Sequence, residues 1–148
     1  MMSARRWAAG VMAAAIVCSC GRFAAADEDD GELKAALRAV VAGNVAAYDR
    51  EDVDGTMSFI HTKSPDYDST KAVLPEQFKA LDVTSELVDF TYIGHDDEFA
   101  VARAKTKTTG QAGSDLVNNT VDAILIFHQE GGAWKLWSEQ ILGVEIPQ

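Results

Sequence analysis

The residues able to do chemistry are few and scattered. His61 closes the triplet Phe59-Ile60-His61, and histidine is a side chain that could act as a base near neutral pH. Its plainer role is a helix-end histidine hydrogen-bonded to a carbonyl. Asp66 and Asp68 lie in the polar run Ser64-Pro65-Asp66-Tyr67-Asp68-Ser69, where a carboxylate can be a base or simply stay solvated. His95 falls in a turn and His128 near a hairpin end, so both are expected in solvent. The three histidines lack ligand-like spacing, so no metal site is expected, and no sequence feature calls for a cofactor. Nucleophile motifs are missing: there is no Gly-x-Ser-x-Gly, no phosphate-cradling glycine loop, and no cysteine beyond Cys18 and Cys20.

Residues 1–26 read as an export signal. Arg5 and Arg6 precede the apolar run Trp7 to Val17, and Ala24-Ala25-Ala26 offers a cleavage site before Asp27. The run is shorter than the roughly 20 residues that span a bilayer. The chain is therefore expected in the periplasm or secreted. Val17-Cys18-Ser19-Cys20 also resembles a lipoprotein processing site, so a lipid anchor at Cys20 is the alternative. Both cysteines lie in this segment, leaving the rest of the chain without thiols or disulfides. Losing Arg5, Arg6 and Arg22 from 13 basic residues leaves 10 against 23 acids, a net charge of −13. Such a chain repels phosphate backbones, so no nucleic-acid partner is expected.

The remaining length suits one domain. Asp27 to Gly31 reads as a mobile acidic lead-in, and residues 32–148 as the domain. Leu33, Leu37, Val40, Val41 and Tyr48 recur at helical spacing, with Asn44 in the same stripe and Asp30 as N-cap. Asp52 caps a short second helix with Val53, Met57 and Ile60 inward. A third helix, about Thr70 to Leu81, should break near Pro75 and turn Val73, Leu74, Phe78 and Leu81 inward. Then the period changes. Val83 to Ile93 and Phe99 to Thr109 read as paired strands, with Ala100, Ala102 and Ala104 on one face and Arg103, Lys105 and Lys107 on the wet one. Gly110 to Asp115 reads as a flexible loop. Asn118 to Leu142 supplies a last hairpin around Gly131-Gly132. Helices followed by antiparallel strands make an α+β domain.

Two stretches carry a family resemblance. Ala39-Val40-Val41, Val45-Ala46-Ala47 and Asp52-Val53-Asp54-Gly55 resemble the first helix and acidic-glycine corner of the nuclear-transport-factor-2-like (NTF2-like) superfamily, in its SnoaL-like and ketosteroid-isomerase-like branch. Gly132-Ala133-Trp134-Lys135-Leu136 resembles that family's return strand. The resemblance covers about Leu33 to Leu142. It implies a cone, with helices packed on a strongly curved, mostly antiparallel sheet and a pocket at the open end.

It also implies where an isomerase-like site would fall. Isomerase members use an Asp base with a Tyr and a neutral Asp at the oxyanion. The match puts Asn44 at the Tyr position, which weighs against steroid-type isomerisation. The base would fall at Asp68, or at Asp66 with slippage in the loop. The third group would be Asp122, although matching through the hairpin reaches Ala123 or a neighbour instead. His61 would lie near the cone mouth. Tyr48, Tyr67, Tyr92 and Trp137 could line a pocket or simply fill core.

The primary expectation is an exported binding module, a homodimer holding a small apolar or amphipathic molecule, and not an enzyme. A lyase- or isomerase-like catalyst using His61 or Asp68 with Asn44 or Tyr48 is the alternative, and a structural subunit the third.

Overall fold

The computed structural model describes residues 24–147, with side chains from Asp30 onward. The segment expected to direct export, up to residue 23 and with Cys18 and Cys20, lies outside the described residues. Three helices come first, α1 (Ala24–Asp49), α2 (Val53–Ser58) and α3 (Tyr67–Ala80). Four strands follow, β1 (Leu81–His95), β2 (Phe99–Ala112), β3 (Asp115–Glu130) and β4 (Ala133–Glu145). They form one antiparallel meander in the order β1-β2-β3-β4. No helix among the described residues is long and apolar enough to cross a membrane.

The elements expected from periodicity are present, with shifted ends. The helical backbone of α1 begins at Ala24, so it runs through the supposed lead-in and Asp30 lies inside it. Alanines favour helix, and acids near a helix start suit its dipole, which together carry the helix upstream of Glu32. Asp52 caps α2 as expected: its Oδ1 accepts the Gly55 N–H at 2.8 Å. The helix α3 starts at Tyr67 and passes Pro75 without a break. Leu74, 2% exposed, and Phe78, edge-on to Tyr48 at 5.0 Å, anchor it on both sides of the proline. Val73 lies one position from Leu74, about 100° around the helix, and is exposed.

Gly110 to Asp115 is not a loop. β2 runs to Ala112, and only Gly113 and Ser114 turn the chain before β3. Gly110 is needed for close approach inside the pair: it has φ 146°, and a Cβ there would lie 2.1 Å from the Asp82 carbonyl oxygen.

The core lies between α1 and the middle strands. Leu37 and Val41 of α1 pack with Ala100, Ala102, Ala104, Ala123, Leu125 and Phe127. The alanine row leaves only small side chains on that face of β2, and all three are buried. The opposite face of β2 is wet, with Arg103 and Lys107 exposed.

The sheet curls because four residues are extra to its register. Val88 and Ile93 have no partner between β1 and β2, and Trp137 and Leu142 have none between β3 and β4. Such bulges bend a strand and increase its twist. Alongside β4 the exit from α2 adds a short parallel bridge: the His61 N–H donates to the Leu136 carbonyl at 2.9 Å, and the Leu136 N–H to the Phe59 carbonyl at 2.8 Å.

Candidate functional site

The bulge at Trp137 decides which side chains enter the cone. Phe127 pairs with Leu136, but Ile126 pairs with Ser138 and Leu125 with Glu139. Inward positions on β4 therefore run Leu136, Glu139, Ile141, with a three-residue step where plain alternation gives two. Glu139 is set opposite Leu125, on the face that carries the core.

Between this strand face and the helices lies a cavity of two lobes, about 630 Å³ and about 440 Å³. Asn44, Tyr48, Gln77, Leu125, Leu136, Glu139 and Ile141 border both. The larger lobe is walled mainly by Val41, Val45, Leu81, Val83, Val121 and Ala123. The smaller adds Thr56, Ile60, Ser64, Asp66 and Trp137. Polar groups stand at the shared border and also, as Ser85, Thr106, Thr108 and Asn119, on the strand side of the larger lobe, whose remaining walls are apolar. That is how small-molecule sites combine area with orientation.

Three of the border groups have defined surroundings. Asn44 donates from Nδ2 to the Thr56 carbonyl at 3.0 Å, tying α1 to α2, and borders both lobes. Tyr48 packs on Phe78, and burial together with the Asp49 charge pushes its phenol pKa up. Glu139 retains solvent access at the mouth, yet desolvation by the surrounding walls raises its carboxyl pKa. The Thr56 hydroxyl on the wall is buried with no protein partner.

Of the residues singled out from sequence, Asn44, Tyr48 and Trp137 meet at this cavity, and Asp66 borders its smaller lobe. The others do not. Asp68 is exposed in the first turn of α3, and Tyr67 opens that helix without bordering the cavity. Tyr92 hydrogen-bonds through its hydroxyl to His95 Nδ1, away from both lobes. Asp122 points to the outer face, where it accepts from Arg103 Nε at 2.7 Å. Arg103 holds its carboxyl below the usual range, against the opposing effect of burial. Asp122 is therefore an ion-pair member and not a cavity acid. The inward neighbour is Ala123, the alternative reached by matching through the hairpin.

His61 is buried, at 4% exposure, but behind the cavity wall. Its Nδ1 accepts the Lys63 N–H at 3.0 Å, and its Nε2 lies 3.0 Å from His128 Nδ1 and 3.3 Å from the Gln129 carbonyl. The carbonyl contact is the plain structural role expected for it, whereas the contact with His128 was not foreseen. His128 is half-buried, not free in solvent. Trp137 packs edge-on against His61 at 5.0 Å and lies 5.1 Å from His128, so its indole divides the histidine pair from the cone.

The functional residue missed in the sequence is Glu139. Alternation counted from Leu136 turns it outward, and no local signal marks the extra residue at Trp137.

A helix-backed, bulged meander around a cavity is the NTF2-like fold. Solved structures with that fold match most of the chain. A function-unknown protein from Mycobacterium tuberculosis, Rv3472, aligns at TM-score 0.68 and 12% identity over 82% of this chain and 76% of its own. An NTF2-like protein with a cystatin-like fold from Novosphingobium aromaticivorans aligns at 0.66 and 14% over 80% and 86%. A proposed scytalone dehydratase from the same organism aligns at 0.65 and 10% over 81% and 90%. At these identities the likeness establishes the fold. Residues 39–146 match the family model described as anti-sigma-I factor RsgI9, C-terminal domain, and the chain belongs to that family. Comparison with curated proteins gives no match.

Proposed function

We propose that the chain is an exported, non-catalytic binding domain that holds a small apolar or amphipathic molecule in its cone. The observation that carries this is the composition of the cavity: a lobe of about 630 Å³ with walls of valine, leucine and alanine, hydroxyls of Ser85, Thr106 and Thr108 with Asn119 on its strand side, and a border of Asn44, Tyr48, Gln77 and Glu139. A ligand with a hydrocarbon body and hydrogen-bonding groups fits that lining. Of the sequence candidates for a base, His61 and Asp68 do not border the cavity, and Asp66 borders only its smaller lobe. The family description, a C-terminal domain of an anti-sigma factor, is consistent with a domain that binds and does not turn over. Export rests on the character of residues 1–26 and self-association on the apolar exposure of Ile141, Leu142 and Val144 along β4.

The test is titration with the fluorescent probe anilinonaphthalene sulfonate. Wild-type protein should give saturable binding, and Val121→Trp, which fills the larger lobe, should lose it while keeping its circular dichroism. Equal binding by both proteins would remove the proposal.

Glu139 favours one second reading. A carboxyl with a raised pKa beside Asn44 and Tyr48 could move a proton at the α-carbon of a carbonyl ligand. Deuterium exchange into cyclic ketones, followed by NMR, tests it. Exchange that disappears in Glu139→Gln supports catalysis, and no exchange with the wild type rejects it.

A further inference from the structure

The second concentration of chemistry is the histidine pair. Three donor atoms form a near-equilateral triangle: His61 Nε2, His128 Nδ1 and the Gln129 carbonyl oxygen. Their separations are 3.0 Å between the nitrogens, 3.3 Å from His61 to the oxygen, and 2.9 Å from His128 to the oxygen. Each ring nitrogen lies within hydrogen-bond distance of the other two atoms, so both rings present a nitrogen edge to this triangle. Among the described residues no group of three or more His, Cys, Asp or Glu side chains could hold a metal. Here, however, the third donor is a backbone oxygen.

We propose that these three atoms form a face-capping site for a divalent transition ion that prefers imidazole and accepts right-angle coordination, Cu2+ or Ni2+ ahead of Zn2+. An ion at the usual metal–imidazole distance of about 2.0–2.1 Å would see the two nitrogens, 3.0 Å apart, at an angle of roughly 90°. Tetrahedral zinc would need them wider apart, whereas tetragonal ions with N and O ligands take this angle directly. His61 is held by its backbone bond to Leu136 and by Trp137, and His128 by the β3 ladder and Phe99, 4.5 Å away. The donors are therefore positioned before the ion arrives.

The protons balance without a co-reactant. In the metal-free protein the Lys63 N–H occupies His61 Nδ1, so the His61 proton sits on Nε2 and bridges to His128. On binding, Nε2 gives up that proton and Nδ1 takes one, leaving the ring neutral. The Lys63 N–H must then move off Nδ1, and the new N–H reaches Glu130 Oε1, 3.7 Å away before the ion binds, by a small turn of the ring or the carboxylate. A carboxylate behind a ligating histidine is the usual outer partner of such a ring. Glu130 is thus a positioning residue. The bound ion would join the exit of α2 to the β3–β4 hairpin, a cross-link independent of the cone and its ligand.

The test adds CuSO4 or NiCl2 to the full chain freed of metal by chelation. One ion per chain should bind and raise the Tm, with His61 and His128 imidazole resonances broadened and His95 unaffected. His128→Ala should weaken binding at least tenfold, and Glu130→Gln by about tenfold, while His95→Ala leaves it unchanged. Because His61 and His128 variants could unfold, the broadening pattern of the wild type stands as a separate readout. Broadening at His95 or at the chain terminus alone, or binding unchanged in folded His128→Ala, would overturn the site.

Discussion

Glu139 stands directly opposite Leu125 on the cone-facing side of the sheet, although simple alternation from Leu136 would turn it to the outside. The bulge at Trp137 makes that pairing, and it places a carboxyl against apolar walls that raise its pKa. A raised acid pKa means that the folded protein binds the proton more tightly than the unfolded chain. The associated stability is complete below the ordinary value of 4.5 and is lost as pH rises through the folded value. Glu139→Gln should abolish this loss. Its urea midpoint should match the wild type in acid and exceed it at neutral pH. Equal pH slopes for the two proteins would show that the carboxyl is not desolvated in solution.

Glu130 should behave in the opposite sense. Hydrogen bonds from the Thr62 hydroxyl and from Lys135, whose Nζ lies 2.9 Å away, bring its pKa down from 4.5 to about 2. Its stabilisation is then present above 4.5 and disappears as pH falls toward 2. Glu130→Gln should melt below the wild type at neutral pH, with the gap closing in acid. Thr62→Val removes the largest of the lowering contacts and should reproduce part of the effect. Thermal melts across this range check both variants, and a gap independent of pH would contradict the pairing.

Asp122 is expected to matter for stability and not for ligand. Arg103 binds it on the outer face, while the cavity is lined by its neighbours Val121 and Ala123. Asp122→Asn should lower the Tm at neutral pH and less so in acid, because the native carboxyl is held ionised by Arg103. Probe binding in the cone should be unchanged. A lost binding phase in folded Asp122→Asn would place the residue back at the cavity.

What the chain discloses by itself follows from the range of the physics involved. Helical stripes and strand alternation are local, so Leu37, Val41 and the Ala100, Ala102, Ala104 row were readable as core. The Asp52 cap and the wet side at Arg103 and Lys107 were readable for the same reason. Asn44 and Tyr48 fall at the cavity because they share the α1 stripe that also faces the sheet. Bulges are another matter. One unpaired residue inverts everything after it, so plain alternation along β4 gives no sign of Glu139, whereas Asp122 was weighed as a cavity acid through the family match alone. The His61–His128 contact spans 67 residues of sequence and depends on the α2 exit bridging to β4, which no spacing rule anticipates. Pro75 and Gly110 show the reverse error, where a local breaker is overridden by tertiary packing.

The core supplies the last prediction. Phe127 is fully buried where β3 meets the alanine row of β2 and the Leu37–Val41 face of α1. The residues around it are small or anchored in long strands, so they have little freedom to close a void. Phe127→Ala should therefore cost about 3–5 kcal/mol, the range for deleting a buried aromatic ring. Leu116, 84% exposed beside the Gly113-Ser114 turn, provides the comparison. Its change to alanine should fall within about 0.5 kcal/mol of the wild type. Equilibrium urea denaturation measures both. A small loss for Phe127→Ala would mean that the cone can collapse inward, and the variant should then also have weakened probe binding because its cavity has shrunk. A large loss at Leu116 would instead locate a contact on that exposed turn, such as one made by a second copy of the chain.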